Sequence, residues 1–153
     1  MKRPTNLALL LAAVLLIGAG KRGAEAGTDK QMIQGTWEYA SALRDGKPYQ
    51  EPIGVRITFA GDKLRRVIEK KTHEHGYKLY PKESPKRVLL IRISNGKTEV
   101  STGIYRLKAD TLTWCFNVPG KPIPKTLATK PGDGLTLCYL SYQSFTIFCY
   151  SNN

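Results

Sequence analysis

Asn95-Gly96 is the feature that most constrains what this chain folds into. Both residues tolerate the left-handed backbone of a two-residue type I′ turn, whose twist matches that of paired strands. The dipeptide lies between residues 87–93, which read Arg-Val-Leu-Leu-Ile-Arg-Ile, and a second strand-like run over 98–107. This arrangement predicts a β-hairpin, and the same grammar repeats along the chain. Residues 53–59 place Val55, Ile57 and Phe59 on one face and Arg56 and Thr58 on the other, the period of a half-buried strand. Residues 60–63 then turn the chain into 64–71, a more exposed run in which Val67 and Ile68 sit among charges. Gly76 is expected to separate that run from residues 77–80, with a proline-flanked loop over 81–85.

Lys108-Ala109-Asp110 joins 98–107 to a further strand over 111–118. There Leu112, Trp114, Phe116 and Val118 share one face and Thr113, Cys115 and Asn117 share the other. Toward the start of the chain, Trp37, Tyr39 and Ser41 alternate with Glu38, Ala40 and Ala42 until Asp45-Gly46 signals another tight turn. Thr28 or Asp29 is placed to cap one helical turn before this strand, with Met32 and Ile33 covering an end of the fold. Residues 119–134 hold four prolines and three glycines and read as a long irregular loop. A strand resumes over 135–142, followed by a tail containing Phe145, Ile147 and Phe148.

These runs predict an all-β domain, and an antiparallel eight-stranded up-and-down barrel with a short N-terminal helical turn accounts for them without open edges. A β-sandwich is the alternative. The inward set is expected to include Val55, Ile57, Phe59, Leu112, Trp114 and Phe116, which are the candidate ligand-binding residues. A barrel of this strand number is either filled by side chains or just wide enough for one small ligand.

Lys2 and Arg3 precede an apolar run over 7–17, followed by Gly18-Ala19-Gly20 and then Ala24-Glu25-Ala26. This is the layout of a secretory signal peptide, with the run too short for a comfortable transmembrane helix. Cleavage is expected after Ala26, with a cut nearer Gly20 as the alternative. The division is then 1–26 leader, 27–142 barrel domain and 143–153 apolar tail, for a protein that is periplasmic or extracellular and has no transmembrane segment in its mature chain. Loss of the leader removes four basic residues and one acid, which takes the formal charge from +12 to +9. That charge favours anionic surfaces, so an anionic envelope polymer is a possible partner. Cys115, Cys138 and Cys149 form an odd set, so at most one intrachain disulfide forms and one thiol remains. For Cys115 a buried free thiol is expected.

Gly35-Thr36-Trp37 opens the first strand after a short turn, the Gly-x-Trp signature of lipocalin-like barrels. In order after it come Asp45-Gly46-Lys47, Ile57-Thr58-Phe59, Gly61-Asp62-Lys63, Tyr77-Lys78-Leu79 and Ser84-Pro85-Lys86. They continue with Gly103-Ile104-Tyr105-Arg106-Leu107, Asp110-Thr111-Leu112, Cys115-Phe116 and Pro119-Gly120-Lys121-Pro122. Over roughly residues 32–140 the chain resembles a family of small, mostly uncharacterised, exported lipocalin-like domains abundant in planctomycete bacteria. The resemblance implies a lipocalin-like barrel and export, gives Gly35 and Trp37 a structural role, and supplies no catalytic residue. In that family the final strand usually ends in a basic pair, and in the wider lipocalin class a basic residue there often lies over the Gly-x-Trp tryptophan. This chain has Ser141-Tyr142 instead, Leu127 where the family has phenylalanine, and Ile123 where an arginine is often found.

His73-Glu74-His75 offers two imidazoles but no visible third ligand, so it reads as a polar exposed turn and no metal site is expected. Neither a nucleophile elbow nor a Walker loop is present, and the carboxylates are scattered. No enzyme and no cofactor are therefore expected. Tyr77, Tyr105 and Trp114 suit base stacking in type, yet their alternation reads as core, and export argues against nucleic acid. Two readings remain: noncovalent binding of a small apolar ligand in the barrel, or an envelope interaction protein with a filled barrel and a basic binding surface.

Overall fold

The structure, a computed structural model, describes residues 28–144. The leader expected over 1–26 lies outside the described residues, as do Phe145, Ile147, Phe148 and Cys149 of the tail. One helical turn, α1 (Asp29–Met32), precedes the strands β1 (Gly35–Arg44), β2 (Lys47–Pro48), β3 (Arg56–Ala60), β4 (Lys63–Ile68) and β5 (Lys71–Tyr80). They are followed by β6 (Arg87–Ser94), β7 (Lys97–Lys108), β8 (Thr111–Phe116) and β9 (Thr136–Tyr142). Successive strands from β3 to β9 pair antiparallel, β1 pairs with β3, and β9 returns to β1 from Trp37↔Tyr142 to Arg44↔Thr136. This closes an eight-stranded up-and-down barrel, with β2 as a two-residue ribbon on the end of β1. Closure by β1 and β9 satisfies both edges and distinguishes the barrel from a sandwich.

The turns follow from backbone chemistry. Asp45-Gly46 and Asn95-Gly96 both adopt positive φ, with 50° and 71° in the first and 50° and 73° in the second. A third turn of this kind is formed by Glu69 and Lys70, at φ 48° and 64°. Neither residue advertises a turn, and β5 then runs through Gly76 without a break. The expected separation at Gly76 is therefore corrected, and His73-Glu74-His75 belongs to a strand. The start of 53–59 also differs: Ile53 N–H donates to Gln50 O and Val55 N–H to Pro52 O, so these residues turn and β3 begins at Arg56.

Inward residues follow the pleat. Ile57 and Phe59 of β3, Leu64 of β4, Tyr77 of β5 and Val88 of β6 are buried, together with Tyr105 and Leu107 of β7, Leu112 and Trp114 of β8 and Leu140 of β9. In β1 the register shifts between Tyr39 and Ser41, so Tyr39 lies opposite Leu140 while Ala42 faces Cys138. That bulge overturns the simple alternation expected for β1 and brings Ala42 into the core. Val118, expected on the inner face, lies beyond the end of β8 and is 53% exposed.

α1 closes one end. Ile33 is buried beneath it, and the Trp37 indole N–H donates to Ile33 O at 2.7 Å. Asp29 accepts from the Tyr105 hydroxyl at 2.5 Å and from Lys86 Nζ at 2.8 Å. Gln34 Oε1 accepts from the backbone N–H of Gly61, whose carbonyl accepts from the Tyr77 hydroxyl. The helical turn is thereby fixed to three barrel hairpins.

A second apolar cluster lies outside the wall. Ile104, Cys115 and Leu137 face outward from β7, β8 and β9, and Leu43, Leu127 and Leu135 pack against them. The 119–134 loop supplies the cover and is held by Asp133, which accepts from Thr129 Oγ1, Lys130 N–H and Leu135 N–H. Asp45 Oδ1 accepts from Gly134 N–H, and Gly46 N–H donates to Thr129 Oγ1, fixing the loop to the β1–β2 turn.

Candidate functional site: the barrel mouth

The six residues expected to face the interior divide into three groups. Ile57, Phe59, Leu112 and Trp114 are fully buried and belong to the packed half next to α1. Phe59 meets Tyr77 edge-on at 4.9 Å and Trp114 at 6.1 Å, so this part of the interior is occupied by side chains. Phe116 sits higher, 5.4 Å from Trp114, and is only partly buried. Val55 precedes β3 and is half-buried, and its carbonyl accepts from Tyr39 N–H.

At the end away from α1 the inward positions change character. Arg66 of β4 lies opposite Ile57 on one side and His73 on the other. His75 lies opposite Leu64, Leu90 opposite both Tyr77 and Ser101, and Arg92 opposite Glu99. Residues directly opposite in an antiparallel pair share a face, so Arg66, His73, His75, Arg92 and Glu99 all belong to the inner face of the mouth. Leu90, Phe116 and Tyr39 are half-buried and packed against the core, and so form the floor of this polar rim.

The wall also opens here. Pairing of β5 with β6 runs from Tyr80↔Arg87 to Gly76↔Ile91, whereas β4–β5 pairing continues to Ile68↔Lys71 and β6–β7 pairing to Ser94↔Lys97. The two hairpins therefore extend past the pairing that joins them. His73, His75 and Arg92 stand on the two sides of this opening.

The electrostatics are those of a cationic site. Burial lowers the pKa of His75, and the charges of Arg66, Arg92 and His73 add to the effect. Burial raises that of the Tyr39 phenol, with the Arg66 cation opposing from nearby. Arg92 is compensated by Glu99, with Nη2 and Oε2 2.5 Å apart. Arg66 is not compensated: its Nε is buried and no protein acceptor reaches it.

These charged inner-face residues are absent from the sequence-based candidates. A signal was available in β4, where Arg66 falls in phase with Leu64 and Ile68, but the position of the Glu69-Lys70 turn was needed to fix the phase of β5. Among the described residues, no three His, Cys, Asp or Glu side chains gather to hold a metal ion. A separate open groove of about 640 Å³ lies outside the barrel, lined by Pro85, Arg87, Ile104, Ile123, Pro124 and Lys125 among others. Arg87 is held there by Glu83 and lies over the Tyr80 ring. Comparison with known proteins finds no matching family model, no matching curated protein and no matching solved structure.

Proposed function

We propose that the protein is an exported, lipocalin-like carrier that holds a small molecule noncovalently in the mouth half of its barrel. The observation that carries this reading is the change along the interior. Next to α1 the inward side chains are sealed, with Trp37 and Leu112 at 0% exposure, whereas Leu90, Phe116 and Tyr39 remain partly open below a polar rim. An apolar floor with a few convergent polar groups is the usual composition of a small-molecule site. The sealed half keeps the barrel folded without a ligand, so the mouth can fill and empty while the core stays packed. Export rests on the leader pattern of residues 1–26, and among the described residues no helix is long and apolar enough to cross a membrane.

Native mass spectrometry of the protein from its own source, with uptake of N-phenyl-1-naphthylamine by the purified protein, tests the reading. A copurifying small molecule, or dye uptake that survives high salt, is expected. A ligand-free protein that takes up no dye overturns it and favours a surface-acting protein instead, with salt-sensitive binding to anionic polymers.

A further inference from the structure

Arg66 is the least explained charge in the barrel. Its side chain is on the inner face of β4, its Nε is buried, and no protein acceptor reaches that atom. A buried donor left unmade forfeits its hydration, and a cationic one forfeits more, so such groups call for a reason. Arg87 shares the buried Nε but has Glu83 and the Tyr80 ring as partners. Arg92, the other guanidinium at the opening between the hairpins, has Glu99. Arg44, at the mouth end of β1, lies over the Tyr49 ring, 3.7 Å from guanidinium carbon to ring centroid, and donates to Thr136. Among the described residues, Arg66 has neither an ion-pair partner nor a ring beneath it. Among the described residues, Arg66 is therefore the guanidinium of the inner mouth that no protein group holds, on the same face of the wall as His73, His75, Leu90 and Phe116.

Resting on the carrier reading above, we infer that the ligand of this barrel is an amphiphile with one carboxylate head, which pairs with Arg66 while its apolar body lies along Leu90 and Phe116. A guanidinium matches a carboxylate in planar geometry and offers Nε and Nη donors side by side. One unheld guanidinium offers one planar fork of donors, which a single carboxylate fills. The parting of the hairpins beside His75 and Arg92 gives the ligand a way in that leaves the α1 end undisturbed.

Calorimetric titration of the full mature protein with decanoate and with 1-decanol, which share a chain length and differ in the head, tests this. Wild type is expected to bind decanoate about ten-fold or more tightly than decanol. Arg66→Gln and Arg66→Met are expected to bring the two affinities together, and Arg66→Lys to keep part of the preference. Thermal melting of each variant should show no loss of Tm, because the substitution removes a buried donor that no protein group satisfies. Equal binding of both by wild type overturns the carboxylate inference and leaves the carrier reading standing. A decanoate preference that survives Arg66→Met overturns the assignment to Arg66. Failure of both compounds to bind overturns the inference, and the carrier reading falls with it only when the apolar dye is refused as well.

Discussion

The ring of Tyr142 meets Trp37 edge-on, with centroids 5.3 Å apart and planes inclined at 74°. Tyr142 ends β9, so an aromatic edge from the last strand covers this tryptophan. The contact also accounts for Gly35. That residue has φ of 107°, and a Cβ added there would stand 2.7 Å from the Tyr142 ring. Trp37, Gly35 and Tyr142 therefore form one unit that joins the first strand to the last.

Trp37→Ala is expected to lower stability by about 3 to 5 kcal/mol, as buried aromatic truncations do. Gly35→Ala should cost at least about 2 kcal/mol, from backbone strain and overlap with the ring. In a Tyr142→Ala background the overlap is gone and only the strain remains, so chemical denaturation of the double mutant should show less than the sum of the two single losses. Additive losses would show that the glycine answers to its backbone alone, and a Trp37→Ala loss below about 1 kcal/mol that Trp37 is no core anchor.

α1 is tied to the barrel through Asp29, whose side chain is only 12% exposed. Tyr105→Phe removes one donor to this carboxylate and leaves Lys86 in place, which is expected to cost about 1.5 to 3 kcal/mol, the range for a hydrogen bond to a charged group. Hydrogen exchange should quicken in residues 29–34 and remain slow in β8. Uniform loss of protection would indicate that α1 and the barrel open together.

Asp133 organises the long loop. Burial acts to raise its pKa, but the N–H groups of Leu135 and Lys130 and the Thr129 hydroxyl outweigh it and hold the carboxyl below its ordinary 3.8. A depressed folded pKa contributes stability that is present above the unfolded value and lost as pH falls through the folded one. Wild type should therefore shed stability below about pH 4 more steeply than Asp133→Asn, as read from denaturation midpoints across an acid series. Parallel curves would count against this role.

Cys115 and Cys138 lie on opposite faces of the barrel wall, one under the loop and the other against Trp114. Neither is bonded, and their alternation prevents a direct bridge. Burial pushes each thiol up to about 11, so both remain protonated near neutrality. Maleimide labelling with peptide mapping should leave both unmodified in native buffer and label both in denaturant. Rapid native labelling of Cys115 would mean that the 119–134 loop lifts from the wall.

The all-β architecture was legible from turn chemistry and period-two runs, because both are local. Asn95-Gly96 and the alternation of 112–116 required no partner strand to be read. The break placed at Gly76 failed for the complementary reason: Glu69 and Lys70 take up left-handed backbone only because β4 and β5 pair on either side of them. The bulge at Tyr39 had no sequence mark either, and it decides that Ala42 rather than Ser41 faces the core.

The sequence by itself determined that this chain pairs antiparallel strands around an apolar interior. Only the tertiary structure decided which end is sealed and which is open, that Tyr142 covers Trp37, and that Arg66, His75 and Arg92 come together. Alternation assigns a side chain to a face of its own strand. The neighbours it meets there depend on register between strands distant in sequence, and that register is set when the whole barrel closes.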